Sequence, residues 1–213
     1  MTTLVIIAKE TIAGKVKTRL HPPLSLEQAA EVAAASLADT FDAVAAVPAT
    51  RRILFFDGFR LPPGARGYEV VHQPSGTLDE RLGAIFDTCD GPTVLIGMDT
   101  PQVSSAHLAP AFQRWPDDID AWFGPATDGG FWALGMAEPR GDLIRGVEMS
   151  KASTGRDQLA RLTGAGLRVG MLPWLTDMDT IGDAEDIAAE QPFGRVASTL
   201  ASFSAISAPR LSA

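Results

Sequence analysis

The sequence predicts a single-domain α/β protein with a doubly wound, mainly parallel sheet. A length of 213 residues suits one domain of this class, since two domains would each be small. Residues 4–8 form a continuous apolar run rich in β-branched side chains, which is typical of a strand buried on both faces. Further apolar runs then alternate with helical patterns, as doubly wound folds require.

The elements are expected in a regular order. The sequence predicts strands at residues 4–8, 52–56, 68–71, 93–97, 121–124, 131–135 and 167–172. It predicts helices at 26–47, 78–88, 105–115, 157–163 and from about 183. Ser25, followed three residues later by Gln28, predicts a capping box at the start of the first helix.

The sequence predicts two regions, a folded domain and a C-terminal tail. Residues 1–192 are expected to form the domain. Residues 193–213 are rich in Ala and Ser and show little hydrophobic periodicity, so they are expected to form a loosely held tail with up to one helical turn.

Charge and composition exclude several classes of function. The net charge of −8 disfavours nucleic acids and anionic membranes as partners, so phosphate chemistry would need a local basic cluster. Cys89 is the only cysteine, which excludes an intrachain disulfide and fits a reducing compartment. No signal peptide and no run of about 18 apolar residues is evident, so a cytoplasmic protein without a membrane span is expected.

A basic loop follows the first predicted strand. Four of the 18 basic residues of this acidic chain, Lys9, Lys15, Lys17 and Arg19, fall within eleven positions. Arginine can bind phosphate oxygens in a bidentate manner, lysine supplies a movable charge, and Gly14 allows the backbone to approach a ligand closely. The sequence lacks the Walker A pattern. The alternative is a solvated loop that only offsets nearby acidic groups.

Carboxylates also follow predicted strands. Asp99, at the tip of a buried strand, could present its carboxylate to a hard cation such as Mg²⁺, or it could cap a helix or turn. Asp177 and Asp179 would lie on the same side of an extended segment, where a cation would relieve their repulsion. The alternative is that this segment serves only to cap the last helix, through Thr180 or Asp183, and that Asp179 binds nothing.

Weaker candidates complete the set. Asp128, before two glycines, could orient an acceptor or serve as a second metal ligand, but Asp-Gly is equally a turn signal. Gln73 and Gly76 follow the third strand and could contact a base or ribose, although an ordinary loop would look the same. The carboxyl ends of parallel strands meet at one edge of the sheet, so the basic loop, Asp99 and Asp179 are expected to converge there.

Five motifs together resemble a known family. They are Ile7-Ala8-Lys9, the segment from Gly14 to Leu20, Ile96-Gly97-Met98-Asp99-Thr100-Pro101, the segment from Pro125 to Phe131, and Asp177-Met178-Asp179-Thr180. As a set they resemble a bacterial GT-A-like glycosyltransferase family, often associated with radical-SAM and selenium-domain genes. That family is similar to the nucleotide-diphospho-sugar transferase superfamily, whose members include guanylyltransferases of molybdenum-cofactor and deazaflavin-cofactor biosynthesis.

The resemblance implies roles for individual residues. It implies that Ala8, Lys9, Gly14, Lys15, Lys17, Thr18 and Arg19 bind nucleotide phosphates, and that Asp99 and Asp179 hold Mg²⁺ or Mn²⁺. Asp128 would lie near the acceptor. The usual Asp-x-Asp motif is reduced here to Asp99-Thr100-Pro101, and Ile181-Gly182 replaces a common Pro-Glu. The first departure weakens a standard glycosyl-transfer assignment.

Three functions remain open from the sequence. In the first, Lys15, Lys17 and Arg19 assist transfer of a nucleotidyl group from a nucleoside triphosphate to a phosphorylated small molecule. In the second, a nucleotide sugar is the donor and Asp128 positions or deprotonates the acceptor. In the third, the protein binds a nucleotide without turnover.

Overall fold

The structure, a computed structural model, describes residues 2–113 and 115–207. Seven strands and six α-helices alternate along it. The strands are β1 (Thr3–Lys9), β2 (Arg51–Asp57), β3 (Glu69–His72), β4 (Thr93–Gly97), β5 (Ala121–Pro125), β6 (Phe131–Met136) and β7 (Val169–Met171). The helices are α1 (Leu26–Ala43), α2 (Leu78–Asp87), α3 (Ser105–Phe112), α4 (Thr154–Gly164), α5 (Ile181–Glu190) and α6 (Arg195–Ser207).

All seven strands form one sheet in the order β3-β2-β1-β4-β6-β5-β7. Strand β6 runs antiparallel to both of its neighbours, and the other pairings are parallel. The predicted doubly wound, mainly parallel sheet is therefore confirmed. Lys9 pairs with Asp57, and Ile7 with Gly97, so the carboxyl ends of β1, β2 and β4 form one continuous edge.

Both faces of the sheet are covered, which explains the uninterrupted apolar composition of β1. Leu4 and Ile6 pack on one face in a cluster with residues of α1 and α3. Val5 packs on the other face with residues of α2 and α4. Since alternate residues of a strand face opposite sides, two covered faces require apolar side chains at consecutive positions. No helix within the described residues is both long enough and apolar enough to cross a membrane.

Several element boundaries differ from the predicted ones. Helix α1 has the predicted capping box at Ser25 but ends at Ala43 and not near residue 47. The Arg52 guanidinium donates to the carbonyls of Val44, Ala45 and Val47, which holds residues 44–47 in turns. Helix α3 ends at Phe112, three residues early, and Arg114 lies outside the described residues.

The expectation of up to one helical turn after residue 193 is wrong for the described part of that segment. Helix α6 has 13 residues, and it buries Val196 and Phe203 in a third apolar cluster with side chains of α1 and α5. The same cluster contains Leu20, from the basic loop, and Met178. Periodicity was present but sparse in this Ala- and Ser-rich sequence. The predicted tail residues 208–213 lie outside the described residues.

Asp39 of α1 anchors the start of α6. Its two carboxylate oxygens accept hydrogen bonds from the backbone N–H groups of Arg195 and Val196, at 3.0 and 3.1 Å. These are two of the N–H groups that a helix start leaves without intrahelical partners. A side chain 156 positions earlier in the chain therefore acts as the helix cap.

We expect Asp39→Ala to lower the free energy of unfolding by about 1–2 kcal/mol, because it removes a cap and leaves partly buried N–H groups unpaired. Urea unfolding followed by circular dichroism measures this change. Asp42→Ala is the matched control: Asp42 is also paired with Arg195, at 2.6 Å, but its side chain is 67% exposed against 10% for Asp39. The control should lose about 0.5 kcal/mol or less. Equal losses would contradict the capping role.

Candidate functional site

A cleft of about 630 Å³ opens at the carboxyl edge of the sheet. Its size is within the range of small-molecule sites, roughly 300–1,000 Å³. The residues that line it come from the ends of β1, β2 and β4, from α2, and from the loops after β5 and β7. A side pocket of about 170 Å³ adjoins it and is lined by residues of the basic loop together with Met98, Asp99 and Asp179. The predicted convergence on one edge therefore occurs.

The basic loop is anchored from both sides by apolar residues. Val16 is buried in the cluster beneath α1 and α3, and Leu20 is buried in the cluster shared with α5 and α6. Lys17 lies between these anchors with φ of 44°, a left-handed conformation that few non-glycine residues adopt. A 3₁₀ turn over Thr18–Leu20 follows. Two buried side chains thus fix the direction in which Lys17 and Arg19 project.

The ammonium group of Lys17 lies between two carboxylates. Its Nζ is 3.1 Å from Oδ1 of Asp99 and 3.2 Å from Oδ1 of Asp179, and the side chain is only 7% exposed. Arg19 approaches the other oxygen of Asp179 at 2.9 Å. Burial alone would lower the pKa of Lys17, but Asp99, Asp177 and Asp179 outweigh it and the pKa is raised. Lys17 is therefore a fully charged counter-ion at the centre of an acidic cluster.

Asp177 and Asp179 face the cleft from either side of a buried methionine. Met178 is fully buried, and its N–H donates to the carbonyl of Asp99 at 2.9 Å. The predicted i, i+2 arrangement of the two carboxylates is confirmed, because both line the cleft. Helix capping falls to Thr180, as the alternative allowed, and its side chain forms a capping box with that of Asp183. The carboxylate of Asp179 does not cap the helix and is paired with Lys17 and Arg19.

Asp99 is likewise not used as a helix cap. The N-cap of α3 is Ser104, which accepts from the N–H of His107. The Ser36 hydroxyl of α1 donates to the carbonyl of Met98 at 2.7 Å, and this hydrogen bond stabilises the segment that carries Asp99. The Asp99 carboxylate pairs with Lys17, as described above.

Asp128 has the turn role that the sequence allowed, and it also lies near two other carboxylates. Its Oδ1 accepts from the N–H of Gly130 at 2.8 Å, which stabilises the turn between β5 and β6. The N–H of Thr127 also donates to the carbonyl of Leu175, and this contact brings the turn close to the segment after β7. As a result, carboxylate oxygens of Asp128, Asp177 and Asp179 lie within 4.8 Å of one another.

Carboxylate oxygens in this arrangement are suitable ligands for a hard divalent cation. Burial, with the nearby negative charges of Asp99, Asp179 and Asp128, raises the pKa of Asp177 to about 7, although Lys17 acts in the opposite direction. Burial is the largest cause of this shift, and repulsion from the neighbouring carboxylates adds to it. A bound cation would relieve that repulsion.

The structure distributes the other predicted nucleotide-binding residues unevenly. Ala8 and Lys9 line the cleft, and Thr18 lines the side pocket. Gly14 and Lys15 belong to an exposed turn closed by a hydrogen bond from the Lys15 N–H to the carbonyl of Ile12, and they line neither cavity.

Gln73 lines the cleft, but its amide is already used. Its Nε2 donates to the carbonyls of Ala8 and Phe55, both at 3.0 Å, and its Oε1 accepts from Arg81. This side chain therefore ties together the ends of β1 and β2. Gly76, in the following loop, does not line the cleft.

Three charged residues of the cleft were missed by the sequence reasoning. Asp57 ends β2, and it was identifiable by the same strand-end argument that selected Lys9 and Asp99. Arg81 and Lys151 lie away from strand ends, on α2 and on the segment before α4. No motif marks them, because only the tertiary fold brings these two segments to the edge of the sheet.

Asp177→Asn should change the pH dependence of stability in chelator-treated protein. Because the folded-state pKa of Asp177 is raised to about 7 from an ordinary value of 3.8, this group destabilises the fold increasingly as pH rises from about 4 through 7. We expect the variant to match the parent at pH 4 and to exceed it by up to about 4 kcal/mol at pH 8, measured by urea unfolding. Asp183→Asn, in the nearby capping box, should not show this pH-dependent gain. A difference independent of pH would contradict the assignment.

Solved structures share this fold along nearly the whole chain. A candidate nucleotide-diphospho-sugar transferase from Desulfovibrio desulfuricans G20 is 22% identical, with a TM-score of 0.82 over 96% of this chain and 95% of that one. The inositol-1-phosphate CTP transferase of T. maritima is 10% identical, with a TM-score of 0.56 over 90% and 96%. A Mycobacterium tuberculosis H37Rv protein solved with manganese is 18% identical, with a TM-score of 0.51 over 87% and 97%. These similarities confirm the predicted nucleotide-diphospho-sugar transferase-like fold.

Sequence comparison gives the family. No curated protein matches the chain. The family model described as "Uncharacterized protein conserved in bacteria (DUF2064)" matches residues 29–151, a segment that runs from α1 through Asp99 and Asp128 to Lys151. Since this match covers more than half of the sequence, the chain belongs to the DUF2064 family.

Proposed function

We propose that this protein is a divalent-metal-dependent nucleotidyltransferase, which moves a nucleotidyl group from a nucleoside triphosphate to a phosphorylated small molecule. One observation carries the proposal: Lys17 and Arg19 meet Asp99 and Asp179 at the edge of a cleft of about 630 Å³. Cations for phosphate oxygens and carboxylates for a metal ion are the two components that this chemistry requires.

The phosphate end of the cleft is the side that carries the basic loop. Lys9, Lys17, Thr18 and Arg19 surround the side pocket, and Lys9 and Arg19 also line the main cleft. A triphosphate and its pyrophosphate leaving group carry several negative charges, which explains a local excess of cations in a chain with net charge −8. A nucleoside diphosphate leaving group, as in glycosyl transfer, would need fewer cationic side chains.

The carboxylates Asp99 and Asp179 are the proposed metal ligands. Asp128 and Asp177 lie within 4.8 Å of Asp179 and could contribute, whereas Asp99 does not belong to that group and reaches Asp179 through their shared partner Lys17. Mg²⁺ and Mn²⁺ both suit such oxygen ligands, and the mycobacterial protein of the same fold was solved with manganese. When bound, the ion supplies charge neutralisation at the phosphates of the nucleotide.

The reaction breaks one phosphorus–oxygen bond and forms another. An oxygen of the acceptor phosphate attacks the α-phosphorus, the bond to the bridging oxygen of the β-phosphate breaks, and pyrophosphate leaves. The acceptor phosphate is already an anion, so no protein general base is required. Lys17 and Arg19, which pair with Asp99 and Asp179 in the structure, stabilise the charge that develops on the departing pyrophosphate.

Glycosyl transfer from a nucleotide sugar is the second candidate, and the position of Asp128 favours it. This carboxylate lines the cleft and could orient or deprotonate a hydroxyl acceptor. The T. maritima protein of the same fold is named for a CTP-dependent reaction of a sugar-like phosphate, which supports the first candidate. A nucleotide-binding regulator without turnover is the third.

A thermal-shift screen with the common nucleoside triphosphates and nucleotide sugars, with and without Mg²⁺, separates these functions. A ligand of the native state raises Tm by mass action. We expect a magnesium-dependent shift with one triphosphate, and pyrophosphate release when phosphorylated acceptors are added. A shift with nucleotide sugars alone would indicate glycosyl transfer. Binding without any product across the acceptor panel would indicate a regulator, and no shift would contradict the nucleotide site.

Arg19→Ala should lower the rate of nucleotidyl transfer by about 100-fold or more, because one donor to the developing charge is lost. Arg140→Ala is the matched control for Arg19→Ala, since Arg140 is an exposed arginine paired with Asp142 and does not line the cleft. In a separate test of the metal site, Asp99→Asn should abolish the magnesium dependence of the thermal shift. Pyrophosphate release and Tm are the measurements. An Arg19→Ala protein with unchanged turnover would exclude the proposed role.

A further inference from the structure

The segment before α4 forms a wall of the cleft on the side of β6. Met149, Ser150, Lys151, Ala152 and Thr154 all line the cavity. The Thr154 hydroxyl donates to the carbonyl of Glu148 at 2.8 Å and accepts from the N–H of Lys151 at 3.0 Å. The segment is therefore held in a defined loop although Lys151 itself is exposed.

The same wall is packed directly against the turn that carries Asp128. The N–H of Gly155 donates to the carbonyl of Gly129 at 2.8 Å. A Cβ atom at Gly129 would lie 2.2 Å from the carbonyl oxygen of Ala152, and one at Gly155 would lie 2.4 Å from that of Gly130. Glycine is required at both positions because the two backbones touch. The position of Lys151 is thus fixed relative to the acidic cluster.

Among the described residues, Lys151 and Lys9 are the lysines that line the cleft and have no ionic partner. Arg19 is paired with Asp179, and Arg81 lies 3.6 Å from Asp57. Lys151 forms no ion pair within residues 2–113 and 115–207. An unpaired ammonium group that faces a cleft is suited to an anionic ligand.

Strand order places the two basic regions on opposite sides of Asp99. The basic loop follows β1 and Asp99 follows β4. The turn that packs against the Lys151 segment joins β5 to β6. In the sheet these strands lie in the order β1-β4-β6-β5, so the acidic cluster separates Lys9 and Arg19 from Lys151. An in-line displacement at phosphorus requires the same order, with the leaving group on one side of the reacting phosphorus and the attacking group on the other.

We propose that Lys151 forms the acceptor subsite and binds the phosphate of a phosphomonoester that attacks the nucleotide. This inference rests on the proposed nucleotidyl transfer and adds to it the residue that recognises the acceptor. The ammonium group holds the acceptor phosphate on the β6 side of Asp99, and the triphosphate occupies the basic loop. Lys151 is thus a binding residue for the second substrate and leaves the first substrate's site intact.

Inorganic phosphate is the probe for this subsite. The protein is first saturated with Mg²⁺ and the α,β-methylene analogue of whichever triphosphate gives the largest thermal shift, which fills the basic loop and prevents turnover. Phosphate is then titrated and the further rise in Tm recorded. Lys151→Ala should raise the half-saturating phosphate concentration about tenfold or more, since a charge-assisted contact is lost. Lys151→Arg should restore binding, and Arg156→Ala, an exposed cation on α4 outside the cleft, should match the parent.

The outcomes separate this inference from the proposed function. If the analogue shifts Tm but phosphate adds nothing, or if Lys151→Ala responds as the parent does, the acceptor subsite is wrong while the nucleotide site stands. If the analogue itself produces no shift, the proposed function fails. Equal shifts by the analogue in the parent and in Lys151→Ala show that the variant is folded and that only the second site has changed.

Discussion

The ion pairs of Lys17 are the interaction on which the rest of the site depends. Four aspartates, Asp99, Asp128, Asp177 and Asp179, converge at the carboxyl edge of the sheet, and a nearby positive charge offsets part of their mutual repulsion. Lys17 supplies that charge within the fold, from a side chain that is 7% exposed. Removing the partner of a buried charge is usually more costly than the pair's net contribution, and the buried member here is Lys17, whose partners Asp99 and Asp179 are 33% and 31% exposed.

The left-handed backbone of Lys17 shows how the chain meets this constraint. A glycine would adopt φ of 44° without strain, but glycine has no ammonium group. The conformation is stabilised instead by Val16 and Leu20, whose buried side chains hold the loop from two different clusters. The backbone strain and the buried charge therefore occur at the same residue, and both are offset by apolar packing on either side of it.

The sequence predicted those features that depend on local pattern and on one rule of topology. Continuous apolar strands indicated a parallel sheet covered on both faces, and the strand-end rule brought the basic loop, Asp99 and Asp179 to one edge. The same rule could have included Asp57. Lys151 and Arg81 could not be found in this way, because they reach the cleft only through packing between segments distant in sequence, such as the contact of Gly155 with the turn at Gly129. Helix α6 was missed because its apolar positions are sparse in an Ala- and Ser-rich segment, and its cap, Asp39, lies 156 positions away and gives no local signal.

Helix α6 also determines when the site can be completed as the chain is made. Its side chains Val196 and Phe203 share one apolar cluster with Leu20, which anchors the basic loop, and with Met178, which holds Asp177 and Asp179 in place. That cluster cannot close until residue 203 has been synthesised, although β1 and the basic loop emerge first. Domains generally fold as units during synthesis. The earliest and latest segments of the described chain must therefore meet before the cations and carboxylates of the cleft are held in register.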